Sequence, residues 1–267
     1  VTSYVLDNAA DQAGQRFSAL EVCLDPVTTR HLATIGVGPG WCCLEVGGGG
    51  GSIGRWLSAQ VGDSGSVLVT DIDPRWMGGV RDGNLEIRCH DIVHDELPVE
   101  AFDLIHARLV LIHLPERRRV LRRLIGALRP GGWILLEEFD AESLPITVLG
   151  DASAQERFHK GHQAMMRVIA DAGVDYAWGR SLYGVFVEEK LGEIGAEGST
   201  RVWNGASPWA ELFLANTDQL EEKMIATGDV TAADLDAFRT VLTDPAVAFN
   251  SYLTVSAWGR RRMLNRG

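Results

Sequence analysis

Short, nearly continuous apolar runs alternate with amphipathic stretches along the first half of the chain. Strands are read over residues 41–46, 66–71, 85–90, 102–107 and 133–138; 66–70 is an apolar run and 133–138 is nearly continuous in apolar residues. Continuous apolarity over five or six residues predicts parallel strands covered on both faces. Between them the period becomes that of a helix. Residues 53–59 follow the first run, and Pro115-Glu116 opens a helix whose apolar stripe is Val120, Leu121, Leu124, Ile125 and Leu128. Upstream, residues 1–30 read as a helical arm. Asp25-Pro26 is expected to start the helix that carries Val27, His31, Leu32 and Ile35. After the fifth strand the pattern loosens. Residues 141–178 are too long for a plain crossover and contain a predicted helix over 152–172. A helix over 181–194, a strand over 198–203, two helices within 207–243 and a strand over 250–258 complete the chain. Strands alternating with helices predict an α/β doubly wound sheet with helices on both faces.

Composition narrows this picture. A chain of 267 residues with 46% apolar content suits one sizeable core, hence a single domain in which 141–178 and 207–243 are lid or insertion helices. A net charge of −11 argues against nucleic acid, which demands a basic face. No apolar run approaches the ~20 residues needed to span a bilayer. No signal-peptide pattern opens the chain. The four cysteines, Cys23, Cys42, Cys43 and Cys89, have no metal-ligand spacing and read as reduced thiols. The expectation is a cytoplasmic protein with no membrane or nucleic-acid partner; a homodimer is left open.

The chemistry concentrates in Leu44-Glu45-Val46-Gly47-Gly48-Gly49-Gly50-Gly51-Ser52-Ile53. Five glycines between a strand and a helix let backbone approach a ligand closely, and the helix beginning at Ser52 aims its first amides at it. Asp71, twenty residues past Gly51, ends the second strand, where a carboxylate can accept hydrogen bonds from two ribose hydroxyls. Two details disfavour a dinucleotide. The third glycine of a G-x-G-x-x-G fingerprint would fall on Ser52. Glu45 would repel a pyrophosphate and suits a cationic ligand.

With five motifs in order, the chain resembles the class I S-adenosylmethionine-dependent methyltransferases. Glu45-Val46-Gly47-Gly48-Gly49-Gly50-Gly51 matches that family's E/D-x-G-x-G-x-G loop. Val69-Thr70-Asp71-Ile72-Asp73, Cys89-His90-Asp91-Ile92, Phe102-Asp103-Leu104-Ile105-His106-Ala107-Arg108 and Leu128-Arg129-Pro130-Gly131-Gly132-Trp133 match later segments. The opening and the close, Trp258-Gly259-Arg260-Arg261, look like small-molecule members of actinobacterial type. The resemblance implies a Rossmann-like seven-stranded sheet, mostly parallel with the last strand antiparallel, and S-adenosylmethionine as cofactor. It implies that Gly47, Gly48, Gly49 and Ser52 form the loop beside the methionine moiety, with Glu45 facing the cationic ligand. Asp71 would take the ribose, Ile72 the adenine face, and Asp91 with the Ile92 backbone the adenine amino group. Ala107 and Arg108 would touch the cofactor or its entrance, Arg16 its carboxylate, and Tyr4 would close the pocket.

The implied chemistry is in-line methyl transfer from sulfur to oxygen, nitrogen or carbon of a small organic acceptor, perceived here as a secondary metabolite. Such a reaction needs alignment and water exclusion more than a dedicated catalyst. The candidate bases are His113, just past the fourth strand, and Glu138, leaving the fifth; Asp140 could orient an acceptor. His159 and His162 share a helix face, without an evident third metal ligand, so no metal is expected. Trp178, Tyr183, Trp203 and Trp209 are aromatic wall candidates for the acceptor. Ala107-Arg108-Leu109-Val110 replaces the N-P-P-[YF] of amide and adenine methylation. An enzyme of the same fold that uses the cofactor for a non-methylation step such as cyclisation, and a non-catalytic binding partner, stay open.

Overall fold

The computed structural model describes Leu6 and residues 12–78 and 83–263; Tyr4 lies outside the described residues. The expected strands form where the apolar runs stand. They are β1 (Cys42–Val46), β2 (Ser66–Asp71), β3 (Leu85–Cys89), β4 (Phe102–Arg108) and β5 (Leu128–Asp140). Together with β7 (Gly192–Ser199) and β10 (Leu253–Arg260) they make a seven-stranded sheet of order β3-β2-β1-β4-β5-β10-β7. The first five run parallel, whereas β7 and β10 pair antiparallel. The order reverses direction between β1 and β4, the switch point at which open α/β sheets receive ligands beyond their strand ends.

Two compact units gather these elements. The sheet unit takes Asp25–Asp140, Ala177–Ser199 and the chain from Thr254. It holds the C-terminal part of α1 (Gln12–Ile35), α2 (Ser52–Val61), α3 (Arg117–Ala127) and α5 (Trp178–Glu188). Leu57, Val61, Val67, Val69, Met77 and Leu104 are among the residues of its core. The second unit takes the chain up to Leu24, Ala141–Tyr176 and Thr200–Leu253. There β6 (Val148–Leu149), β8 (Val202–Asn204) and β9 (Ala248–Asn250) form an antiparallel sheet of order β6-β9-β8. In the same unit α4 (Ala152–Asp171) and α6 (Pro208–Ala226) both pack on α7 (Ala232–Thr243). Its core is aromatic: Phe158 contacts Phe213, Phe238 and Phe249. No helix among the described residues is long and apolar enough to cross a membrane.

Several boundaries differ from the sequence reading: β5 already begins at Leu128, expected in the apolar stripe of the preceding helix. Pro26 does not start a helix; α1 runs through it. A proline inside a helix costs roughly 3 kcal/mol. Here Ala13, Ala19 and Leu24 are buried on one side of it and Thr28, His31 and Leu32 on the other, so tertiary burial outweighs the local penalty. The helix α5 ends at Glu188, and Gly192–Ser199 is strand rather than helix end. Lys190, just past the end of α5, has a positive φ of 60° that no helix continues, and Gly195 lies so close beneath Trp258 that a Cβ would stand 2.4 Å from its ring. Ile194, read as the last turn of a helix, is a strand residue. The strand expected over 198–203 is divided between β7 and β8, which belong to different sheets.

Candidate active site

The carboxyl ends of β1, β2, β3 and β4 deliver the expected residues to one edge of the sheet unit. At the end of β1 the glycine loop turns sharply, with Gly47, Gly49 and Gly51 at φ 70°, 54° and 84°. Gly47 and Gly48 both donate their N–H to the Thr70 carbonyl, at 2.7 and 3.1 Å. The loop therefore lies against β2 with no room for side chains. A Cβ on Gly47 would meet Val110 at 2.3 Å, and one on Gly48 would meet Val69 at 2.3 Å and Met77 at 2.5 Å. Gly51 caps α2 without a side-chain hydrogen bond, and Ser52 begins the helix. The first amides of α2 thus face outward from the loop.

Asp71 closes this arrangement. Its Oδ2 accepts the Gly49 N–H at 3.0 Å and its Oδ1 accepts the Asp73 N–H at 2.9 Å. The Ile72 amide also bonds this carboxylate, which still keeps acceptor capacity. Burial raises its pKa above the ordinary carboxylate value, and the Asp73 and Gly49 amides oppose that rise. The neighbouring Ile72 is 62% exposed, a bare apolar surface beside a buried carboxylate. Asp91 follows β3; its Oδ1 accepts the Val93 N–H and its Oδ2 pairs with His94, both at 2.8 Å. The next residues are pinned from α3: Arg123 Nη1 donates to the Ile92 and Val93 carbonyls at 2.8 Å each, and Nη2 to that of Asp95. Ile92 itself is buried.

Glu45, Arg108 and Arg16 have partners that the sequence did not reveal. Glu45 turns into the sheet, where Oε2 lies 2.6 Å from Nδ1 of His106. Arg108 donates to Asp25 at 2.9 Å and to Thr28 Oγ1 at 2.8 Å, both on α1. Arg16 belongs to the second unit, nearly fully buried, and donates to Gln219 at 2.8 Å. Ala107, fully buried, leads out of β4.

Of the candidate bases, Glu138 has the more distinctive environment. It is fully buried, and its Oε1 accepts the Leu111 N–H at 2.8 Å. Among the described residues its Oε2 has no hydrogen-bond partner. Burial pushes its pKa up to about 8, against the amides of Leu111, Ile112 and Val110 and the charge of Arg117. A carboxyl so placed carries a proton at neutral pH and can exchange it. His113 ends the short turn Leu111–His113 and is half-buried. Asp140 is engaged otherwise, accepting both Nε and Nη2 of Arg180 at 3.0 and 2.6 Å.

The acceptor-wall candidates divide. Trp178 is buried with Arg117 over its ring at 5.5 Å, Tyr183 is exposed on α5, and Trp203 carries Arg201 at 4.3 Å. Trp209 belongs to the aromatic core of the second unit with Phe213 and Tyr252. His162 lies in that core too, 2.8 Å from the Tyr252 hydroxyl, and burial holds its pKa down at about 3. Among the described residues no three His, Cys, Asp or Glu side chains could share a metal ion.

His106, Glu137, Thr28 and Ser256 were missed as a group. The available signal was polarity out of place. Glu45, His106 and Glu137 each interrupt a strand that is otherwise apolar, and a charge inside a doubly covered strand demands a buried partner.

Comparison with known proteins agrees with this geometry. A family model described as a methyltransferase domain matches residues 13–186. Methyltransferase str2 of Strobilurus tenacellus is 34% identical over 145 residues, which cover 52% of this chain and 50% of the relative. The ubiquinone/menaquinone biosynthesis C-methyltransferase UbiE of Laribacter hongkongensis (strain HLHK9) is 29% identical over 126 residues, 45% of this chain and 52% of its own. The chain thus spans about half the length of these relatives. Among solved structures, the YcgJ protein of Bacillus subtilis matches with a TM-score of 0.56 at 14% identity, covering 88% of this chain and 98% of its own. Phosphoethanolamine N-methyltransferase 2 of Haemonchus contortus, solved with phosphomonomethylethanolamine and S-adenosylhomocysteine, matches with a TM-score of 0.60 at 14% identity over 99% and 61% of the two chains. A glycine loop with no room for a Cβ at Gly47 or Gly48, an anchored acid closing β2 and a family model spanning most of the sheet unit converge: the chain belongs to the methyltransferase domain family, with the Rossmann-like fold of the class I S-adenosylmethionine-dependent enzymes.

Proposed function

We propose that the chain is an S-adenosylmethionine-dependent methyltransferase that methylates a small organic acceptor. The observation that carries this reading is the unit made by the glycine loop and Asp71: backbone with no space for side chains, a buried carboxylate with lone pairs to spare, and bare Ile72 beside it. These residues fit an adenosine joined to an amino-acid tail. Gly47, Gly48, Gly49 and the first turn of α2 from Ser52 would hold the tail, Asp71 the ribose hydroxyls, and Ile72 the adenine face. Asp91 and the Ile92 backbone would meet the adenine amino group, and Ala107 and Arg108 would border the entrance. When bound, the cofactor supplies a sulfonium methyl for in-line transfer.

The protein's part is to orient the acceptor, exclude water and manage one proton. Glu138 is the group assigned to that proton, with His113 the alternative on the turn it anchors. A small organic acceptor is consistent with the names of the relatives, whose stated substrates are small molecules. The test combines calorimetric titration with S-adenosylmethionine and S-adenosylhomocysteine and an isotope-labelled methyl assay over phenols, quinols and amines. Binding of both ligands and a product heavier by one methyl support the reading. Well-folded protein that binds neither ligand overturns it, and a product without the labelled methyl favours a different cofactor-dependent step.

A further inference from the structure

Beneath the proposed cofactor loop lies a buried ionic cluster that the reaction does not use directly. His106 on β4 stands opposite Glu45 on β1 in the parallel ladder, and Glu137 on β5 is its diagonal neighbour on the same face. His106 Nδ1 is 2.6 Å from Glu45 Oε2, and Nε2 is 3.3 Å from Glu137 Oε2. All three side chains are excluded from solvent. Two carboxylates facing both ring nitrogens require both to be donors, so the ring is an imidazolium. Burial alone would pull its pKa down, but the two carboxylates outweigh burial and hold it up at about 9. Burial would likewise raise Glu137, but His106 holds it down at about 2.

Glu137 accepts two further hydrogen bonds. Ser256 on β10 donates to Oε1 at 2.7 Å, and Thr28 on α1 donates to Oε2. Thr28 in turn accepts from Arg108, which also pairs with Asp25. His31 and Arg30 on α1 and Arg108 on β4 are among the other charged or titratable groups that Glu137 faces, and Glu197 on β7 pairs with Arg30 and approaches His31 to 4.0 Å. The cluster therefore joins β1, β4, β5, β10 and α1. Two residues beyond Glu45 the chain enters the glycine loop, and one residue beyond His106 and Glu137 it reaches Ala107 and Glu138.

We propose that His106 is a positioning residue for the amino-acid end of the cofactor: an imidazolium clamped between Glu45 and Glu137 that sets the spacing of the strand ends carrying the glycine loop and Ala107, and that takes the Glu45 carboxylate away from direct cofactor contact. This rests on the cofactor assignment above. It also replaces the role that the loop motif implies for Glu45. The carboxylate acts through His106 on the backbone, whereas the Asp71 and Asp91 carboxylates, at the adenosine end, bond the Gly49, Asp73 and Val93 amides and His94 rather than the cluster.

The test is calorimetric titration of the full chain and of His106→Gln and Glu137→Gln, from pH 6.5 to 10, with two probes. S-adenosylhomocysteine has the amino-acid end; 5′-methylthioadenosine lacks it. Thermal unfolding of each variant establishes that it is folded. His106→Gln is expected to weaken S-adenosylhomocysteine binding at least tenfold at pH 7.5 and to leave methylthioadenosine within threefold. The wild-type affinity for S-adenosylhomocysteine is expected to fall as pH rises through about 9. That fall should move at least one pH unit lower in Glu137→Gln, which keeps the shape and removes one charge. A fall due to the ligand's own ammonium would persist unchanged in both variants. Folded His106→Gln that binds S-adenosylhomocysteine like wild type, or loses both probes equally, overturns the proposal. Wild-type protein that binds neither probe strikes instead at the cofactor assignment.

Discussion

Substituting Glu138 by glutamine should stabilise the protein and impair it at once. Glu138 is fully buried, with one oxygen bonded to the Leu111 amide and the other without a partner among the described residues. In the folded chain it keeps its proton up to about 8; unfolded, it loses it near 4.5. Between those values the folded state binds more protons, so stability falls as pH rises from 4.5 to 8. At 1.36 kcal/mol per pH unit, the interval from 4.5 to 7 costs about 3 kcal/mol. Glutamine retains the acceptor for Leu111 and places an amide where the carboxyl group was, with no charge to suppress. Glu138→Gln should therefore match wild type near pH 4.5 and exceed it by about 3 kcal/mol at pH 7. At roughly 2 °C per kcal/mol that is a rise of about 6 °C in Tm. Unfolding by urea or heat at pH 4.5, 6, 7 and 8 measures it. The difference between the two proteins isolates Glu138, because the His106 cluster is common to both. Methyl transfer should fall at least tenfold if Glu138 handles the proton. A variant that unfolds at or below the wild-type temperature at pH 7, with the same pH slope, would refute the reasoning.

Three further outcomes follow from the site. Gly48→Ala places a Cβ 2.3 Å from Val69 and 2.5 Å from Met77; overpacking of this kind costs about 1–3 kcal/mol. Calorimetry should show S-adenosylhomocysteine binding lost or reduced more than tenfold, and unaltered binding would show that the loop can shift. Asp71→Ala removes the acceptor for the Gly49 and Asp73 amides, so affinity should fall by about 2–4 kcal/mol, on the order of 30- to 1000-fold. A loss of less than fivefold contradicts the ribose assignment. Arg123→Ala releases the carbonyls of Ile92, Val93 and Asp95, and hydrogen exchange at residues 93–95 should quicken on the order of tenfold without change in the central strands. Exchange that stays at the wild-type rate would mean the Asp91 turn holds itself.

The strands and the ligand loop were legible because each rests on a local rule. A parallel strand covered on both faces must be largely apolar, and the segments at β1, β2 and β4 are, without reference to any neighbour. Backbone that turns from strand to helix with no room for a Cβ must be glycine, and Gly47 and Gly48 are. An acid ending the second strand follows from the same logic, so Asp71 was found together with the loop that it anchors.

What stayed hidden depends on residues distant in sequence. Pro26 reads as a helix start, yet burial on both sides of it carries α1 through. Ile194 suits a helical period, yet the ring of Trp258, more than sixty residues later, makes its segment a strand. The partner of Glu45 is 61 residues away and that of His106 is 31. Nothing in the string states that three polar interruptions in three apolar strands share one face and one register. Amino-acid sequence determined which segments must be strands and where a ligand's backbone contacts must lie. Only tertiary packing decided which charges meet in the interior, because pairing across strands depends on register and sheet order rather than on local composition.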